Sequence, residues 1–127
     1  MNKDEWKQKI ISASEDAGTY QPFFDSIIDT LASMLERRDD AEEMFKKSGG
    51  HVLVKHINKG GATNLEQNPA LRLVNDLNRD ALAYWRDLGL TPAGLKKLKD
   101  LEIKSTSDMS GLERALNGIA RELGQGS

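Results

Sequence analysis

The sequence predicts a mainly α protein: two long antiparallel amphipathic helices joined by a β-hairpin, with short N- and C-terminal helices. Apolar residues recur at three- and four-residue spacing from Phe24 to Phe45 and again from Leu71 to Leu88, the repeat of a single buried helix face. Between these stretches the period falls to two over His51 to Ile57, and the pair Gly60-Gly61 follows, the pattern of two short strands about a tight turn. Pro22, Pro69 and Pro92 stand where helices would begin, and Gly18, Gly49-Gly50 and Gly89 where they would end. Proline costs nothing in a first helical turn, and glycine accepts the left-handed conformation that closes a last one.

Each element has its own local reason. Asn2 and Glu5 have capping-box spacing, and Trp6, Ile10, Ala13 and Ala17 then share a face up to Gly18. From Pro22 the positions Phe24, Ile27, Ile28, Leu31, Leu35, Ala41 and Phe45 form the stripe of a helix running to Ser48, with Lys46 and Lys47 at its negative end. The hairpin is expected at about 51–67. Val52, Val54 and His56 should point to one side and His51, Leu53, Lys55 and Ile57 to the other, with Asn58-Lys59-Gly60-Gly61 supplying positive-φ residues and Thr63-Leu65-Gln67 returning. Because an isolated hairpin is marginal in water, it should lie against a helix or a neighbouring subunit. Asn68-Pro69 caps and opens the second long helix, striped by Leu71, Val74, Leu77, Ala81, Leu82, Trp85 and Leu88. Thr91-Pro92 starts a short basic helix with Leu95, Leu98 and Leu101 on its face, residues 104–110 read as a linker, and Ser110 and Glu113 cap a last helix carrying Leu112, Leu116, Ile119 and Leu123.

The 127 residues, 38% apolar and 30% charged, amount to one domain. No apolar run approaches the roughly 20 residues of a membrane span. Met1-Asn2-Lys3-Asp4-Glu5 leads into an amphipathic segment rather than a signal peptide, so a cytoplasmic location is expected. The absence of cysteine excludes disulfides and thiolate zinc sites. Net charge is −2, unlike the strongly basic balance of a dedicated nucleic-acid binder. The distribution is uneven: residues 21–50 hold seven acids and four bases, and residues 69–104 hold seven bases and five acids.

Motifs that would carry chemistry are weak. Lys59-Gly60-Gly61-Ala62-Thr63 lacks the spacing of a nucleotide phosphate loop and reads as a hairpin tip. His51 and His56 fall on opposite strand faces without an acid at ligand spacing; they read as surface or packing residues, a phosphate contact by His56 beside Lys55 being the one functional reading. The run Asp39-Asp40-Ala41-Glu42-Glu43 reads as a solvated helix face neutralised by Arg37, Arg38, Lys46 and Lys47, in preference to a cation site. Neither a Ser/His/Asp set nor a carboxylate pair can be argued, so the chain is expected not to be an enzyme and to need no cofactor or metal. Residues 80–99 have the outline of a helix-turn-helix, with Gly89 in the turn. Two readings stand: the short helix contacts DNA, or it caps the bundle with its lysines solvated.

The order of features from Gly49 to Leu98 carries a resemblance. Asn58 to Asn64 closes into Asn68-Pro69-Ala70-Leu71, and the long helix ends in Leu88-Gly89-Leu90-Thr91-Pro92 before a basic helix; Gly18-Thr19-Tyr20 and Arg37-Arg38-Asp39 extend the match backward. Over about residues 5–98 the chain resembles the small subunit of phage terminases, in the subfamily common in phages of Gram-positive bacteria. The resemblance implies a non-catalytic, DNA-recognising and regulatory component of the viral packaging motor. Such a subunit assembles into a homo-oligomeric ring, binds viral double-stranded DNA and recruits the large subunit, which holds the ATPase and nuclease, in the host cytoplasm. Residues 1–104 would form the helical core for oligomerisation and DNA binding, and 105–127 a linker and helix for the large subunit.

The candidate DNA contacts are Lys96, Lys97, Lys99 and Lys104 on and beyond the short helix, ranked first, then Lys55 and Lys59 on the hairpin. The core and oligomer seam sets Phe24, Ile27, Ile28, Leu31 and Leu35 against Val74, Leu77, Ala81 and Trp85, leaving Phe23, Met34, Met44 and Tyr84 outside it for a neighbour. The rival function is a stand-alone helical protein-interaction module indifferent to DNA. A dimeric transcription factor would need a more basic recognition helix.

Overall fold

The computed structural model describes residues 1–101. Lys104, the linker and the helix expected over 110–123 lie outside the described residues. Helix α1 (Lys3–Ala17) starts at Asn2, whose side chain accepts the Glu5 amide at 2.9 Å. It stops at Gly18, whose φ of 72° lets its amide return to the Glu15 carbonyl. Pro22–Phe24 form a single 3-10 turn closed by the Phe24 amide on the Gln21 carbonyl, and α2 (Asp25–Lys47) follows. The α-helix expected from Pro22 therefore begins three residues later, after a tighter i→i+3 turn.

Helix α2 is the central layer, packed on α1 along one side and on α3 (Pro69–Asp87) along the other. Its last residues lie beside the first of α3, where the Asn68 amide group donates to Ser48 Oγ, and Arg38 lies beside Asn78, so the two long helices run antiparallel. Ile10, Ile28, Leu31, Ala32, Leu35, Ala81 and Leu88 form the buried core. Removing a side chain of the size of Ile28 or Leu31 from water contributes about 1.5–3 kcal/mol. Val74 is buried; Phe24, Ile27 and Trp85 pack half-buried against the core, and Leu77 is half-buried.

Two expectations, one about the α3 stripe and one about the seam, are corrected. Leu82, expected on the stripe, is 49% exposed: the stripe that α3 buries against α2 is too narrow to include the residue that follows Ala81. Met34 and Tyr84, expected outside the seam, pack half-buried against the core, because long side chains at its edge lean back over it. Phe23 and Met44 do remain exposed.

Strands β1 (Leu53–Ile57) and β2 (Thr63–Gln67) pair antiparallel with Lys55 opposite Leu65. Asn68 fastens the root of this hairpin. Its amide donates to the Val52 carbonyl, its side-chain NH2 to Ser48 Oγ and the His51 carbonyl, and its side-chain oxygen accepts from Ala70 at the start of α3. Beyond the root the strands make no substantial contact with any described helix, so of the two supports expected for the hairpin, a helix or a neighbouring subunit, the described helices do not supply the first.

At the tip, Asn58 Oδ1 accepts from both Gly60 and Ala62, and the Asn58 carbonyl accepts from Gly61. Gly61, at φ 80°, is the one residue of the tip in the left-handed region; Gly60 has an ordinary φ, which corrects the expectation placed on it. Gly61→Val should therefore cost the hairpin roughly 1–2 kcal/mol, and Gly60→Val much less. Amide exchange of residues 53–67 should accelerate in the first variant only, with helical circular dichroism unchanged. Equal acceleration in both variants would refute this assignment.

Candidate nucleic-acid interface

The short basic helix, α4 (residues 92–101), is positioned by close backbone contacts. Thr91 Oγ1 accepts the Gly94 amide at 3.1 Å and caps its first turn. Gly89 turns the chain at φ 73°, and a Cβ there would lie 2.7 Å from Leu98 and 2.9 Å from Thr19. Gly94 is tighter still, since a Cβ on it would stand 2.1 Å from the Arg86 carbonyl oxygen. The Thr19 hydroxyl donates to the Leu88 carbonyl at 2.9 Å. Gly18-Thr19 and Leu88-Gly89, far apart in the chain, thus meet in one node that joins the α1–α2 connection to the α3–α4 turn. Thr19, Gly89 and Gly94 thereby hold the framework together.

With Leu95 and Leu98 half-buried and Gly94 against α3, the exposed side of α4 carries Lys96, Lys97 and Lys99. Lys96 and Lys97 border one shallow depression with Ala93, Asp100 and Leu101. Asp100 therefore lies within the basic face. Lys55 and Lys59 are also exposed, on β1 and at the hairpin tip. The two sets are not brought together: the hairpin precedes α3 and α4 follows it, and the 19 residues of α3 span about 28 Å at 1.5 Å each. A separation of that size is roughly eight base pairs of duplex, so the two sets would meet different phosphates.

Other chemistry finds little support among the described residues. The hairpin tip offers no phosphate cradle, since the Gly60, Gly61 and Ala62 amides are all engaged by Asn58. No group of three or more His, Asp or Glu is placed to hold a metal ion among the described residues. The acidic run is not uniformly a solvated face. Lys47 pairs with Glu43 at i,i+4, but Asp39 turns inward, where Oδ2 accepts the Trp6 indole N–H at 2.7 Å and Oδ1 accepts from Arg38 at 3.0 Å. Burial works against the Asp39 charge, but these hydrogen bonds, a third from the Met1 ammonium group at 3.1 Å and the Arg38 charge together more than offset it and lower its carboxyl pKa. Arg38 also lies over the Trp6 ring at 5.2 Å and donates to Asn78 at 3.2 Å, so one guanidinium links α1, α2 and α3. Sequence reasoning missed this link and the role of Gly94. A glycine inside a short helix, where it costs about 1 kcal/mol relative to alanine, was the available signal for the second.

This architecture defines a helical hairpin module with a β-ribbon at one end and a short basic helix at the other, and no described helix is long and apolar enough to cross a membrane. The family model described as phage terminase, small subunit, matches residues 2–105, and the chain belongs to that family. No curated protein and no solved structure matches it significantly.

Proposed function

We propose that this chain is the non-catalytic, DNA-recognising and regulatory component of a phage DNA-packaging motor. It assembles into a ring, binds viral double-stranded DNA in the host cytoplasm, and recruits the large subunit that carries the ATPase and nuclease. Residues 1–104 serve assembly and DNA binding, and 105–127 contact the large subunit. Membership of the terminase small-subunit family supports the packaging role. The observation that carries the DNA reading is the docking of α4, whose inner side is fixed against Arg86 and Leu88-Gly89 while its lysines stay exposed. Preorganised cations lose less conformational entropy on meeting a phosphate backbone. Repetition around a ring multiplies a modest charge per copy into a strong local field.

Replacing Lys96 and Lys97 by Glu should weaken binding to all DNA sequences, and the log–log salt slope should fall by about 0.9 for each phosphate that is no longer neutralised. The same substitutions at Lys55 and Lys59 test the hairpin. Unchanged affinity and slope in the Lys96/Lys97 variant, with its assembly state intact, would remove α4 from the interface. If wild-type protein at low salt shows no DNA binding at all, the DNA-recognition reading fails and the stand-alone interaction module replaces it.

A further inference from the structure

The hairpin presents an apolar face that nothing among the described residues covers. Leu53, Lys55 and Ile57 alternate onto one side of β1, and the register sets Gln67, Leu65 and Thr63 opposite them. Leu53, Ile57 and Leu65 are 55%, 69% and 66% exposed. A two-stranded sheet with an open apolar side is marginal without a partner, and Lys55 in its middle restricts which partner fits. Two such faces meeting symmetrically would bring Lys55 against Lys55 across a drying contact, so the complement must be acidic as well as apolar.

The opposite end of the molecule has that chemistry. Phe23 is 72% exposed and stacks edge-on against Phe24, beside an open groove of about 420 Å³ lined by Gly18, Thr19 and Gln21 on one side and by Leu98, Lys99 and Leu101 of α4 on the other. Glu15 and Asp16 occupy the last turn of α1, where no basic residue stands and where the helix dipole already places negative charge. Asp25 adjoins them, accepting the Tyr20 hydroxyl at 2.8 Å. The imbalance extends further: Lys3 and Lys7 turn toward Asp29, leaving Asp4, Glu5, Glu15 and Asp16 exposed on α1. The Phe23 end, where Glu15, Asp16 and Asp25 cluster on the side of the groove away from Lys99, and the hairpin end are separated by the 23 residues of α2, about 35 Å.

We propose that the hairpin of one copy docks head-to-tail on the Phe23 end of a second copy, Leu53, Ile57 and Leu65 meeting Phe23 while Lys55 and Lys59 approach Glu15, Asp16 and Asp25. The proposal rests on the self-assembly reading and deepens it by naming the contact. Because the two surfaces differ, the contact is heterologous and repeats from copy to copy until it closes. A hairpin-sized patch falls at the small end of specific interfaces, near 1,000 Å², so closure, in which each copy makes the contact twice, supplies the stability that one pair lacks.

The chain has no cysteine, so pairs can be introduced cleanly in the full-length protein. Leu65→Cys and Phe23→Cys copies, mixed without DNA and oxidised, should give a disulfide between the two kinds of copy in preference to either homodimer. In light scattering, Lys55→Glu with Lys59→Glu should lower the mass, as should Glu15→Lys with Asp16→Lys. The two charge-reversed proteins combined should recover it, and circular dichroism checks that each stays folded. A Leu65→Cys homodimer as the main product overturns the head-to-tail contact in favour of a symmetric one. A monomer in which Phe23→Cys resists thiol labelling until 105–127 is removed overturns it in favour of the chain's own tail. A wild-type oligomer unaffected by every variant overturns this contact and leaves self-assembly standing, whereas a wild-type monomer at every concentration overturns both.

Discussion

Gly94→Ala is expected to destabilise the protein by about 2 kcal/mol or more, and to do so against the intrinsic preference of the helix. Alanine favours a helix over glycine by about 1 kcal/mol, so at an exposed position this change would stabilise. Here the added methyl would stand 2.1 Å from the Arg86 carbonyl oxygen and within 3 Å of the carbonyl carbon. Those atoms belong to the backbone of α3 and cannot rotate away as a side chain would. Overpacking in a fixed setting costs about 1–3 kcal/mol, occasionally more, and relief requires α4 to lift as a body. The expected signature is a lower urea midpoint together with fast amide exchange over 92–101. Under the proposed function DNA affinity should fall too, although no charge has changed, since the lysines would lose their fixed placement. Ala93→Gly, on the exposed side of the same helix, is the control and should cost only about 1 kcal/mol. A Gly94→Ala protein more stable than wild type would refute the close packing of α4 on α3.

The parts of this fold that the sequence revealed are those fixed by local rules. The spacing of Ile28, Leu31 and Leu35, the Asn2 and Asn68 caps and the positive-φ stop at Gly18 each depend on a few neighbouring residues, and each has the predicted form. The hairpin likewise follows from the period change and the glycine pair, although which glycine takes the left-handed conformation depended on Asn58 wrapping the turn. Contacts between distant residues were not legible. The bond from Thr19 to the Leu88 carbonyl, the contact of Gly94 with Arg86 and the stacking of Arg38 on Trp6 arise from how helices meet, which no spacing within one helix encodes. The candidate interface divides along the same line. Its lysines could be named from the sequence, but their separation into two sets at opposite ends of α3, and the intrusion of Asp100 among those on α4, required the fold.

The guanidinium of Arg38 leads to the second large effect. It lies over the Trp6 ring of α1, donates to Asp39 on α2 and to Asn78 on α3, and Asp39 in turn accepts the Trp6 indole N–H. Arg38→Ala should therefore destabilise by about 2 kcal/mol at neutral pH. Hydrogen bonds to charged groups contribute about 1.5–3 kcal/mol, the cation–π contact about 0.5–1, and water reaching the vacated site returns part of the loss. Arg38→Lys should not restore stability, because a single ammonium cannot stack on the ring and also reach two acceptors. The pH dependence follows from Asp39. Its folded-state pKa lies below the unfolded value, so the stabilisation is complete above the ordinary carboxylate range and is lost as pH falls through the lower folded value. Urea midpoints of the wild type should thus decline below about pH 4. Asp39→Asn should be less stable at pH 7 and show a shallower acid decline. Asp29, held low by Lys3 and by Lys7, keeps its own contribution in both proteins, so the difference between the two curves isolates Asp39. Parallel acid declines in wild type and Asp39→Asn would mean that the carboxylate of this cluster does not stabilise the three-helix contact.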